Sequence, residues 1–188
     1  MKKEIFYATS NPGKFDEVNR YLKEHAPEII LKQYTEELFE PQTTDAKTIA
    51  IMKAKQAFEK LQKPVLVDDA GIYLKCFNNF PGTITKFIIK GIGYEGVFSL
   101  LKENTEAYFL LYMIYMDKTN LEFFEGRCDG KIIKPKSFDA PDGLPWDAIF
   151  NPNGTNKTYT EIRNTPDEKK YAYRLAALQN FLNWYKNK

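Results

Sequence analysis

The strongest constraint on the fold lies near the start of the chain. There an apolar run, residues 4–9 (EIFYAT), breaks at Ser10-Asn11-Pro12-Gly13 and gives way to a different periodicity. Phe15, Val18, Tyr21 and Leu22 recur at helical spacing, whereas the run before them suits a buried strand. A strand that leaves through a tight turn into an amphipathic helix needs a sheet for that helix to cover, which points to layers of helix on sheet. The pattern then repeats. Residues 28–34 read as a second strand, 45–61 as a second helix closed by Pro64, and 65–68 as a short strand ending in acid.

Beyond a turn at NNFPGT, helical stretches are expected near 85–89 and 94–104. A hairpin of 107–116 and 121–126 around DKTN follows, then a strand at 130–134. The last helix is expected at 169–186, with apolar positions at Ala172, Leu175, Leu178, Leu182 and Tyr185. The expected architecture is a single α/β domain over residues 1–188: a mixed, elongated central sheet flanked by helices, with a long antiparallel section. At 43% hydrophobic and 28% charged, 188 residues suffice for one sizeable core.

Charge and cysteine content narrow the chemistry. A formal net charge of +2 leaves no polybasic arm, so a nucleic-acid backbone is not an expected partner and any phosphate binding is local. Lysine outnumbers arginine 23 to 4, so a single lysine is weak evidence of function and a single arginine somewhat better. Cys76 and Cys128 are far apart without metal-ligand spacing, and His25 is the only histidine, which argues against zinc and for two reduced thiols. The N-terminal residues lack an apolar core of signal-peptide length, and no stretch approaches the roughly 18 apolar residues of a membrane span. A cytoplasmic protein with no membrane partner is expected.

Three segments carry candidate chemistry. The turn after the first strand brings free backbone N–H groups and the positive end of a helix dipole to one place, which suits phosphate. Lys14 in the first helical turn is unfavourable for that dipole unless an anion lies nearby. Equally compatible is a plain connection capped by Ser10 or Asn11. In VLVDDAGIYL, residues 65–74, an apolar strand runs into Asp68 and Asp69, where parallel sheets place ligands. Adjacent acids point in different directions, so one can hold metal while the other braces loop backbone; a solvated turn is the plain alternative. Glu40, in LFEPQTT, adds a third carboxylate, and hard oxygen donors of this kind suit Mg²⁺ on a phosphorylated substrate. Trp146 beside Asp147 offers either a stacking face for a nucleobase or a core anchor.

In this order the motifs resemble the pyrophosphatases that act on inosine and xanthosine triphosphates, over almost the whole chain. TSNPGK looks like that family's phosphate loop, VDDAG its catalytic acid motif, FPGTITKF the segment with a further phosphate-facing lysine, and WDAIFNPNGTNKTYTEI its late signature. The resemblance implies Mg²⁺-dependent hydrolysis of a nucleoside triphosphate, such as the inosine, deoxyinosine or xanthosine form, to the monophosphate and pyrophosphate. It implies substrate contacts at Thr9, Ser10, Asn11, Lys14, Ala70, Lys86, Leu144, Trp146, Asp147, Lys169, Tyr173 and Arg174. Glu40 and Asp69 are implied metal ligands, Asp69 is also the implied general base, and a homodimer is implied.

The chain departs from the family at the base-facing end. Gly143-Leu144-Pro145-Trp146-Asp147 replaces the usual Gly-Phe-Gly before the aromatic-Asp pair, and Ala172-Tyr173-Arg174 stands where Ser-His-Arg is usual. The lysine before that tripeptide is Lys169 or Lys170, because the spacing is one residue shorter. These changes predict reduced preference for 6-oxopurines, with Arg174 still reading the oxo group. A nucleotide-binding regulator without efficient turnover is the alternative function on the same fold.

Overall fold

A computed structural model describes residues 2–141 and 143–188. Met1 and Asp142 lie outside the described residues. Seven strands form one sheet: β1 (Lys3–Ala8), β2 (Ile29–Tyr34), β3 (Val65–Leu74), β4 (Phe80–Gly82), β5 (Thr105–Met116), β6 (Leu121–Ile132) and β7 (Phe150–Pro152). Among the described residues six α-helices accompany them: α1 (Pro12–His25), α2 (Ala46–Leu61), α3 (Thr85–Leu100), α4 (Tyr159–Ile162), α5 (Glu168–Tyr171) and α6 (Tyr173–Lys186). The strand order is β2-β1-β3-β5-β6-β7, with β4 paired to β3. This is the mixed α/β sheet flanked by helices that the sequence implied.

The chain forms two compact units. The first takes Met1–Asp69, Leu111–Gly126 and Arg174–Lys188; the second takes Ala70–Leu110 and Arg127–Tyr173. In the first unit, β1 runs parallel to both β2 and β3, with Ala8 opposite Tyr34 on one side and Val67 on the other. That register brings the turn leaving β1 level with the acids that follow Val67. Helix α2 covers these strands with a stripe of small residues: Ala50, Ala54 and Ala57 pack with Ala8, Val65, Val67 and Ile114. Alanine there favours the helix intrinsically and lets its backbone approach the sheet closely. Asp45 caps its first turn by accepting from Lys47 N at 3.1 Å. A second cluster, Tyr115, Phe124, Phe181, Trp184 and Tyr185, seats α6 on the ends of β5 and β6.

The second unit has its own aromatic core. Phe109 stacks on Tyr173 at 5.0 Å between ring centroids and meets Phe150 edge-on at 4.6 Å, with Tyr159 beside them. Helix α4 begins with a capping box in which Thr158 and Glu161 bond reciprocally.

Four boundaries differ from the sequence expectation. β3 does not stop at Asp68 but continues through Gly71 to Leu74. A Cβ at Gly71 would lie 2.2 Å from Gly82 O, so glycine here permits the antiparallel pairing with β4 and marks no turn. β6 likewise runs unbroken to Ile132; at Gly130 a Cβ would meet Asn151 O of β7 at 2.4 Å. The two helical stretches after the NNFPGT turn are the halves of α3, which is interrupted at Gly93 (φ 64°) and ends at Leu100. The expected last helix is divided at Ala172 into α5 and α6.

Candidate active site

Residues of the opening turn are held by their neighbours before any ligand is considered. Thr9 N donates to Tyr34 O at 3.0 Å and Gln33 Nε2 donates to Thr9 O at 3.0 Å, so β2 fixes the end of β1. Asn11 is the cap of α1: its N donates to Thr9 Oγ1 at 3.2 Å and its Oδ1 accepts from Lys14 N at 3.2 Å, with Pro12 opening the helix. Both the capped connection and the clustering of amides at a helix start are therefore present. Ser10 is exposed on this turn.

Lys14 reaches across to β3, where Nζ donates to Asp68 Oδ1 at 3.0 Å. Arg174 Nε donates to the other oxygen, Oδ2, at 2.7 Å, and its Nη1 to Glu17 Oε2 at 2.8 Å. Asp68 and Arg174 are 1% and 2% exposed at their side chains, so this is an ion network inside the first unit. Burial would push the Asp68 carboxyl up, but Lys14 and Arg174 outweigh it and hold the group well below the usual carboxylate range. Asp68 thus braces two cationic side chains, not loop backbone. Arg174, expected to read a base, is a buried partner of Asp68 and Glu17.

Asp69 points elsewhere, as the alternation of a strand requires. Lys53, from the middle of α2, lies 2.9 Å from Glu40 Oε1, 3.8 Å from Asp69 Oδ1 and 3.3 Å from Asp68 O. The second oxygen of Asp69, Oδ2, is buried without a hydrogen-bond partner. Burial is the main cause that pushes the Asp69 carboxyl up, to about 6, against the pull of Lys53 and Lys14. Lys53 moves the opposite way to its own burial: Asp69 and Glu40 raise its pKa. Glu40 is brought to this place by Gln56, one turn beyond Lys53, which accepts from Phe39 N at 2.9 Å and donates to Phe39 O at 2.8 Å.

Among the described residues no group of three or more His, Cys, Asp or Glu side chains could hold a metal ion. The Glu40–Asp69 pair, with one orphaned buried oxygen and a lysine ammonium between the two carboxylates, is the donor set that fits Mg²⁺, which is commonly held by one or two carboxylates plus substrate phosphates.

Sequence reasoning missed Lys53 and Gln56. The signal was there for Lys53: residues 46, 49, 50, 53, 54 and 57 make up the sheet-facing stripe of α2, and a lysine interrupts it. The abundance of lysine in the chain obscured it.

Of the other expected contacts, Ala70, half-buried, opens the second unit within β3, and Lys86 lies exposed in the first turn of α3 with its ammonium 5.1 Å from the Phe87 ring. Leu144 precedes a short 3₁₀ turn, Pro145–Ala148, and is half-buried. Trp146 is 2% exposed and its Nε1 donates to Thr85 O at 3.1 Å, the packing of a core anchor. Asp147 is buried against Arg163. Tyr173 is 3% exposed, its ring stacked on Phe109. Lys169 is exposed on α5, while the alternative, Lys170, pairs with Asp167 at 3.0 Å.

An anion-ready turn at the carboxyl end of β1 and a carboxylate pair beside the parallel strands define an α/β protein of the ligand-binding kind. The chain belongs to the Ham1 family, whose model matches residues 5–184. It is 32% identical over 185 residues to a protein of Thermococcus kodakarensis named dITP/XTP pyrophosphatase, covering 97% of each chain. It is 33% identical over 183 residues to one of the same name from Korarchaeum cryptofilum, covering 95% of each. In fold it resembles a HAM1 protein from Coxiella burnetii, with a TM-score of 0.79 at 20% identity over 99% of this chain and 100% of that one.

Proposed function

We propose that this chain hydrolyses nucleoside triphosphates between the α- and β-phosphates, releasing pyrophosphate and leaving the monophosphate. The substrate class is that of inosine, deoxyinosine and xanthosine triphosphates, and the cofactor is Mg²⁺. The observation that carries the reading is the setting of Asp69: a buried carboxylate with an orphaned oxygen, next to Glu40 and faced by lysines from two helices. The relatives named dITP/XTP pyrophosphatase support the substrate class.

The side chains of the first unit divide the work. Lys14 and the turn of residues 10–14 bind phosphate oxygens, and Asp68, gripped by Arg174, sets where Lys14 can reach. Asp69 orients the attacking water and accepts its proton as the oxygen bonds to the α-phosphorus and pyrophosphate leaves. Mg²⁺ held by Glu40 and Asp69 would neutralise charge on the triphosphate. The chain acts as a single pyrophosphatase domain, a cytoplasmic homodimer in keeping with its family; no helix among the described residues is long and apolar enough to cross a membrane. A monomer in sedimentation at micromolar concentration refutes the dimer.

The test is a screen of nucleoside triphosphates with Mg²⁺ that separates pyrophosphate from orthophosphate. Pyrophosphate release, strongest with the inosine or xanthosine forms and abolished by Asp69→Asn, is expected. Orthophosphate as the product, or more than about a tenth of wild-type kcat in Asp69→Asn, a barrier change of roughly 1.4 kcal/mol or less, removes the mechanism.

A further inference from the structure

We propose that Lys53 is the resident counter-cation of the Glu40–Asp69 pair, and that a divalent ion binds there by displacing its ammonium. The inference rests on the reading of these two carboxylates as metal ligands, and goes beyond it by giving the ligand-free site a built-in competitor. Glu40 lies in the loop before α2 and Asp69 within β3, and two such anions would repel one another if left alone. Lys53 Nζ lies among three oxygens: Glu40 Oε1 at 2.9 Å, Asp68 O at 3.3 Å and Asp69 Oδ1 at 3.8 Å.

The placement of Lys53 is not that of a surface lysine. Its side chain is 13% exposed, and it sits on the stripe of α2 that otherwise holds Ala50, Ala54 and Ala57 against the sheet. The stem packs where an apolar residue would, which leaves the ammonium to emerge beside the carboxylates. One monovalent cation cannot satisfy the set: Asp69 Oδ2 remains buried with no hydrogen bond. A divalent ion would answer both carboxylates together, and an ion bonded to Glu40 Oε1 and Asp69 Oδ1 competes with the Lys53 ammonium for the same oxygens. Arrival of the metal and departure of Lys53 are therefore one exchange, and metal affinity in the free protein is the difference between two attractions.

Mn²⁺ alone, followed by titration calorimetry and by loss of its free electron paramagnetic resonance signal, tests this on the full chain without nucleotide or turnover. Lys53→Met, which keeps the packed stem and removes the charge, is expected to tighten Mn²⁺ binding about tenfold or more, as loss of a like charge at such a distance allows. Lys53→Arg, which keeps the charge, is expected to stay within about threefold of wild type, in keeping with that retained charge. Should Lys53→Met lose its thermal transition, Lys53→Gln is judged by the same criterion. Unchanged or weaker Mn²⁺ binding in the neutral variant overturns the proposal, as does no binding in either form. The two readings fail separately: a wild type that binds Mn²⁺ and releases pyrophosphate, with no tightening in Lys53→Met, removes the counter-cation alone. Absence of pyrophosphate from every triphosphate removes the proposed function instead.

Discussion

Replacing Asp68 by asparagine keeps the shape of the side chain and deletes the charge that Lys14 and Arg174 share. Lys14 is 21% exposed and can find water, whereas Arg174 is 2% exposed and cannot. Breaking a buried ion pair by removing one partner costs about 3–5 kcal/mol, because the remaining charge stays desolvated. Glu17, 2.8 Å from Arg174 Nη1, offsets part of that, so about 3 kcal/mol is the expected loss. For a chain of this size that lowers Tm by on the order of 6–12 °C.

The pH dependence gives a second signature. The folded-state pKa of Asp68 is depressed, so its contribution to stability is present above the unfolded carboxylate pKa of about 3.9 and is lost as pH falls through the folded value. Urea denaturation followed by circular dichroism at pH 7 and at steps below about pH 5 should therefore show wild type losing part of its advantage over Asp68→Asn as acid is added. The double variant Asp68→Asn/Arg174→Met removes both charges and should be more stable than the sum of the single losses by at least about 1 kcal/mol. A loss below about 1 kcal/mol at neutral pH in Asp68→Asn, or additive losses in the cycle, would refute the buried network as described.

Three further outcomes are expected. Lys14→Ala should weaken binding or slow turnover of every nucleoside triphosphate by a similar factor; an effect confined to one base would place Lys14 away from the phosphates. Tyr173→His should leave the ratio of kcat/KM for inosine over adenosine triphosphate within about threefold, since the ring packs in a core where a change of polarity costs stability before selectivity; a tenfold rise in inosine preference would show that residue 173 reads the base. Cys76 is exposed, while the Cys128 thiol is buried and pushed up to about 12 by that burial and by Asp129 and Asp147, so iodoacetamide at pH 8 should label Cys76 alone in the folded protein. Equal labelling of both, read by peptide mass, would contradict the packing around β6.

What the sequence alone determined is whatever rests on neighbours along the chain. The helical periodicity of residues 15–22, a cap at Ser10 or Asn11 and the helical run of 45–61 announce themselves through local backbone chemistry, although α1 starts at Pro12, inside the expected turn. The motif order was likewise enough to identify the family, because motif matching needs no three-dimensional contact. Tertiary structure decided the rest. Asp-Asp-Ala-Gly reads locally as a turn, yet β3 passes straight through it, since Gly71 admits the backbone of β4 and Asp68 is neutralised by residues 54 and 106 positions away. Lys53 looked like one lysine among 23 until folding set its ammonium between Glu40 and Asp69, 13 and 16 residues distant by number. Trp146 and Tyr173 are buried in the second unit against Thr85 and Phe109, contacts between segments far apart in the chain. Charge pairing and burial are properties of which distant segments meet, and no periodicity along the chain encodes them.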